Sequence, residues 1–170
     1  MKVTIDEKVI EVRQPTPPEW VEYIGAQRHI TRHLEGGLTE EETADPKEAA
    51  AVLFRAIRLG DGPDVDGDEA AYAIGELSVA YLTGEIRKDG EQIVFPLAWP
   101  GHKEEIRCRK PKVGERRVFA RAYQKVTNGP KESTMRFNPS AAVTFFDAVA
   151  PERRDAPVPI KILVAAQLFS

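Results

Sequence analysis

Two histidines, His29 and His33, stand four residues apart in a stretch with helical periodicity. On a helix that spacing lets two imidazoles share one metal ion. Zinc needs at least a third protein ligand. Glu22 lies on the same helical face but two turns away, and no His-Glu-x-x-His pattern occurs. The pair therefore reads as two solvated histidines. Asp61-Gly-Pro-Asp-Val-Asp-Gly-Asp68 offers the oxygen ligands that calcium takes. With Gly67 as the turn glycine, Gly62 falls at the first ligand position and Ala73 at the last. Neither carries a carboxylate, so the EF-hand pattern fails. Asp66 or Asp68 reads instead as a helix N-cap, with Glu69 in the first turn. Only a short separation across a proposed hairpin brings His102 near Cys108, and no glycine-rich loop could cradle a phosphate. These residues give no catalytic, cofactor-binding or metal-ligating set, and the chain is not expected to be an enzyme.

A second kind of chemistry is charge. Lys103, Arg107, Arg109, Lys110, Lys112, Arg116, Arg117, Arg121 and Lys125 are opposed in their span only by Glu104, Glu105 and Glu115. Helical spacing puts Arg117, Arg121 and Lys125 off the apolar face of one helix. Such a stripe could hold phosphates or an acidic protein surface, including Glu40, Glu41 and Glu42 of another copy. The plainest alternative is a solvated helix face. Aromatic residues do not interleave with the charges, which disfavours nucleic acid. The candidate partner-binding residues are Arg109, Arg116, Arg117, Arg121 and Lys125, together with Leu168 and Phe169 at the apolar end of the chain.

Composition sets the frame for these residues. The chain has 170 residues, a net charge of −3 and a single cysteine, Cys108, which rules out an internal disulfide and a cysteine-based zinc site. The first residues, Met-Lys-Val-Thr-Ile-Asp, lack the apolar core of a signal peptide. The longest apolar stretch, 158–169, carries Lys161 and falls short of the ~20 residues a membrane span needs. A cytoplasmic protein is expected.

The elements that position the candidates repeat. Ile10-Glu-Val-Arg-Gln-Pro-Thr-Pro-Pro-Glu19 and Ile106-Arg-Cys-Arg-Lys-Pro-Lys-Val-Gly-Glu115 share isoleucine, arginine, proline and glutamate at one spacing. Each reads as a strand stopped by proline and followed by a helix with glutamate in its first turn. Before the first block a hairpin is expected at 2–5 and 9–13. Before the second it is expected at 93–99 and 105–109. After the first, Trp20, Tyr23, Ile24, Ile30 and Leu34 share one helical face ending at Gly36-Gly37. After the second, Val118, Phe119, Ala122, Tyr123 and Val126 do so, ending at Asn128-Gly-Pro130. Asp45-Pro46 and Asn138-Pro139 then cap matching helices, and a third helix closes each half, at about 68–83 and 157–169. The expected fold is α+β, mainly helical: two similar units, 1–88 and 89–170, each a β-hairpin followed by three short helices.

The block of strand, Arg-x-Pro-x-x-x-Glu and amphipathic helix resembles the small tail assembly chaperones of tailed bacteriophages. The second half carries most of the likeness, in Phe95-Pro-Leu-Ala-Trp99, Glu105-Ile-Arg-Cys-Arg-Lys-Pro111 and the apolar last helix. The first half, Val9-Ile-Glu-Val-Arg-Gln-Pro-Thr16 and onward, is similar to the same pattern, which would make this an apparent two-copy form. The resemblance implies a non-catalytic protein that coats a long helical tape-measure protein and helps recruit tail tube subunits. It implies no cofactor and no catalytic residues. Self-association is expected on other grounds: each half, at about 80 residues, buries its apolar face only marginally alone. The alternative from the residues is a basic-stripe nucleic-acid-binding or regulatory protein.

Overall fold

The computed structural model describes residues 1–44, 46–62, 64–127 and 129–170, with the backbone alone at 29, 43 and 44. The chain begins with β1 (Lys2–Ile5), β2 (Lys8–Glu11), α1 (Pro17–Gly25), β3 (Arg28–His33), β4 (Thr39–Ala44), α2 (Lys47–Ile57) and α3 (Gly67–Ser78). Two short strands follow, β5 (Tyr81–Leu82) and β6 (Arg87–Asp89). The order then restarts: β7 (Gln92–Trp99), β8 (His102–Arg109), α4 (Val113–Ala120), β9 (Tyr123–Thr127), β10 (Glu132–Phe137), α5 (Pro139–Val149) and α6 (Val158–Phe169). Both runs read strand, strand, helix, strand, strand, helix, helix.

This corrects the expected fold class. The protein is α+β but not mainly helical: 42% of it is helical and 31% is strand. Nor does a hairpin precede three helices. A second hairpin stands between the first and second helix of each run, with its first strand in residues expected to prolong the first helix. α1 stops at Gly25 and α4 at Ala120. Beyond them come Ile30, Thr31, Val126 and Thr127, whose branched β-carbons lose side-chain freedom in a helix and suit a strand. β3 pairs antiparallel with β4, and β9 with β10. The expected helical face through Ile30 and Leu34, and that through Tyr123 and Val126, is therefore absent. α3 likewise ends at Ser78, before β5. The Asp45 cap and the Asn128 stop lie outside the described residues.

The chain folds as two compact units, each drawn from both runs. The first comprises Met1–Ile74 and Ala122–Asn138. It holds the β1–β2 hairpin, α1, α2 and a four-stranded antiparallel sheet in the order β4-β3-β10-β9. Its buried side chains include Val3, Ile10, Val12, Trp20, Leu53, Phe54 and Ile57. The hairpin is tied down at its end, where Val12 bridges to Arg58 and its N–H donates to the Met1 carbonyl at 2.9 Å.

The second unit comprises Gly75–Arg121 and Pro139–Ser170. Here β7 pairs with β5, β6 and β8, and α4, α5 and α6 pack together. Val94, Phe95, Leu97, Ile106, Phe119, Phe145, Phe146, Ile160 and Val164 are buried. The Phe119 ring lies 5.2 Å from that of Phe145 and 5.0 Å, edge-on, from that of Phe169. α6 is apolar on nearly every side because its inner face fills this core, where Val158, Ile160, Val164, Ala165 and Leu168 are buried.

Candidate interaction surfaces

The repeated Arg-x-Pro-x-x-x-Glu block forms the same corner twice. In the first unit Arg13 Nη1 and Nη2 donate to Glu19 Oε2 and Oε1 at 2.8 and 2.6 Å, and Nη2 also reaches the Ala56 carbonyl at 3.0 Å. In the second, Arg109 donates to Glu115 at 3.0 and 2.5 Å and to the Ala148 carbonyl at 2.8 Å. Each glutamate also accepts the backbone N–H at the start of its helix, from Thr16 at 2.8 Å and Lys112 at 2.7 Å. The arginine beside it and these bonds hold each carboxyl down at about 2. The block thus ties the end of a hairpin to the start of one helix and the last turn of another. Arg109, a candidate partner-binding residue, is committed to this corner.

The other basic candidates do not form one helical stripe. Arg116 and Arg117 lie exposed on α4, and Arg121 follows as its C-terminal cap. Lys125 lies exposed on β9, in the other unit. The helix that would have aligned all three ends too early. Arg107 pairs with Asp89 at 2.5 Å.

Of the apolar candidates, Leu168 is buried and Phe169 is 39% exposed. Phe169 does not stand alone. Pro159, Ile162, Leu163 and Ala166 are half-buried, and with Phe169 they recur at helical spacing along the outer side of α6. That stripe is what sequence periodicity missed, since an all-apolar helix gives no contrast between its two sides. Trp20 is buried, and Trp99 stacks on His102 at 5.3 Å.

The sheet of the first unit is the other unusual surface. Every residue of β9 is exposed, and so are Glu40, Glu41 and Glu42 of β4. Among the described side chains of this sheet only Ser133 and Thr134, on the inner strand β10, are buried. On β3, Arg32 reaches Glu42 at 2.7 Å on one side and Glu132 at 3.0 Å on the other.

The remaining candidates separate. His29 and His33 fall on β3 rather than on a helix, where four residues span about 13 Å. Asp66 accepts the N–H groups of Asp68 and Glu69, each at 2.9 Å, while Glu69 accepts that of Asp66 at 3.0 Å, which makes the acidic loop a helix cap. His102 and Cys108 sit at opposite ends of β8, about 20 Å apart along the strand. Burial pushes the Cys108 thiol up to about 12. Among the described residues no three His, Cys, Asp or Glu groups gather to hold a metal. A groove of 270 Å³ between α1 and α2 is lined by Glu19, Glu22, Tyr23, Ala49, Val52, Leu53 and Ala56. Its only acids are Glu22 and Glu19, and Arg13 already holds Glu19. Among the described residues no helix is long and apolar enough to cross a membrane. Comparison with protein-family models, with curated proteins and with solved structures finds no match.

Proposed function

We propose that this chain is a non-catalytic assembly protein that captures a long helical partner and self-associates while doing so, in the manner of the phage tail assembly chaperones that its sequence resembles. The observation that carries the reading is the outer side of α6. Pro159, Ile162, Leu163, Ala166 and Phe169 present an apolar stripe that the second unit leaves partly open to water. Contiguous apolar surface of this kind marks interaction sites, and a helix laid against it uses anchors at the same spacing. Phe169 meets Phe119 of α4, so the stripe continues to the helix that bears exposed Arg116 and Arg117. The partner that fits is an amphipathic helix with acidic residues flanking its apolar face, as a tape-measure-like protein could supply. Tail tube subunits would be a second partner in that setting, and the cytoplasm of a host cell the compartment.

The test is co-expression with a long helical tape-measure-like protein, taken from beside this chain's gene where one is encoded there. Ile162→Ser together with Phe169→Ser should abolish co-purification while circular dichroism stays that of the parent. Deleting 164–170 is a poor test, because Val164, Ala165 and Leu168 are core and the second unit should unfold. Failure of the parent to co-purify, or unchanged capture by the double variant, would sink the reading.

A further inference from the structure

The four-stranded sheet of the first unit contains one contact that joins the two repeated runs, β3 against β10. It is heterologous: the first strand of one hairpin pairs with the second strand of the other. The two hairpins also share a register. Arg28 faces Ala44 across the first, and Gln124 faces Arg136 across the second. Laying Arg28 on Gln124 therefore lays Ala44 on Arg136, Glu42 on Thr134 and Glu40 on Glu132. The backbone groups that β3 turns toward β10 correspond to those that β9 turns outward. Those that β10 turns toward β3 correspond to those that β4 turns outward. The sheet ends on the same two complementary edges that it has already joined within itself.

We propose that copies of this chain add head to tail, β9 of one copy antiparallel to β4 of the next, in the register carried over from the β3–β10 contact. Aligned in this way, Gln124 lies opposite Ala44, Lys125 opposite Thr43, Val126 opposite Glu42 and Thr127 opposite Glu41. Both are edge strands: the described side chains of β4 and all those of β9 are exposed, and among the described residues no further strand pairs with either. Charge favours the match. β4 carries Glu40, Glu41 and Glu42, and Lys125 falls diagonally across from Glu41 on the same face of the joint, within reach of a long side chain. Pairing β4 with β4 would instead set glutamates against glutamates. The internal joint uses the same device, since Arg32 of β3 reaches Glu132 of β10 at 3.0 Å. An unpaired edge is otherwise an aggregation hazard, and a heterologous joint does not close at two copies, so it builds rings or filaments. This deepens the self-association in the proposed function. Its test contains no partner protein, so failure here leaves capture of a helical partner to its own experiment.

The experiment is light scattering on the full chain, eluted at concentrations from micromolar to near-millimolar. The mass should rise with concentration past that of a dimer. Lys125→Glu alone and Glu41→Lys alone should each raise the concentration needed for assembly about tenfold or more, with unchanged circular dichroism. Mixing the two variants in equal amounts should restore assembly, because each edge then meets an edge of opposite charge. A single one-chain mass across the range would overturn the proposal. So would single variants that assemble like the parent, or a mixture no better than either alone.

Discussion

Arg109 binds Glu115 through two parallel N–H···O bonds, and Arg13 binds Glu19 in the same way at the corresponding corner of the other unit. A fork-to-fork pair of this kind fixes direction as well as distance. Both arginines then spend a further N–H on a carbonyl in the last turn of a later helix, Ala56 or Ala148. One residue type therefore sets the angle at which a hairpin leaves its strand, starts a helix and meets a second one. The spacing Arg-x-Pro-x-x-x-Glu is what that geometry requires, and it recurs with the same corner in both units.

Acid should release these corners. Both glutamates sit at about 2 instead of the ordinary 4.5. A carboxyl held down in the folded state adds stability that is fully present above 4.5 and is lost as the pH falls toward 2. Urea midpoints should therefore drop between those values. Glu115→Gln should flatten that drop and cost about 1–2 kcal/mol at neutral pH, through the lost cap and the weakened arginine bond. An unchanged pH profile in this variant would show that Glu115 is not held by Arg109 in solution.

Lys161 offers a sharper contrast. It is 4% exposed within α6, and its Nζ donates to Asp147 Oδ1 at 2.6 Å and to the Arg154 carbonyl at 2.7 Å. Asp147→Ala leaves a buried ammonium with one carbonyl and should cost about 3 kcal/mol. Lys161→Met replaces the charge by an apolar chain of similar length and should stay within about 1 kcal/mol of the parent. Denaturation of the two variants side by side decides the matter, and the reverse ordering would refute it.

What could be read from sequence, and what could not, follows from where each element finds its partners. The helices at 47–57 and 139–149 were legible because they bury one face: Leu53, Phe54 and Ile57 in one, Ala142, Phe145, Phe146 and Val149 in the other. The long β7–β8 hairpin was legible from the alternation of β8, where Ile106 and Cys108 are buried, and from the turn at Pro100-Gly101. The β3–β4 and β9–β10 hairpins were not, since β4 reads Thr-Glu-Glu-Glu-Thr-Ala and β9 buries nothing. A strand exposed on both faces has no period of two to detect. The inner strands β3 and β10 hold the two hairpins in one sheet by pairing about a hundred positions apart, as Arg32 does with Glu132. Gly36-Gly37 and Asn128-Gly129 were the available signals, since such dipeptides favour a hairpin turn as readily as they stop a helix. The outer stripe of α6 was hidden for the opposite reason, because apolar residues surround the helix.

The Cys108 thiol should be inert in the folded protein. It is fully buried on β8, and that burial holds it near 12, so almost none is thiolate at neutral pH. Iodoacetamide at pH 8 should leave native protein unlabelled over hours and label it in urea with the unfolding transition. Rapid native labelling would show that β8 separates from its cover without global unfolding.

The first hairpin stores strain that a single substitution should remove. β1 and β2 are joined between Ile5 and Lys8, and the two residues of the turn, Asp6 and Glu7, sit at φ 45° and 65°. Two positive φ values in a two-residue loop define the turn whose twist suits a hairpin, and glycine is preferred at its second position. A side chain there costs about 1–2 kcal/mol, less for aspartate than for glutamate because a short polar side chain can bond locally. Glu7→Gly should therefore stabilise the protein by about 0.5–1 kcal/mol, after the added freedom of the unfolded chain is subtracted. In a protein of this size that raises the melting temperature by roughly 1–4 °C. The β7–β8 turn supplies the mirror control. Gly101 sits at φ 81° with nothing within 4 Å of an added Cβ, so only backbone strain opposes Gly101→Ala. That variant should lower the melting temperature by a similar amount. A fall with Glu7→Gly, or no response to Gly101→Ala, would mean that these turns do not hold left-handed backbone in solution.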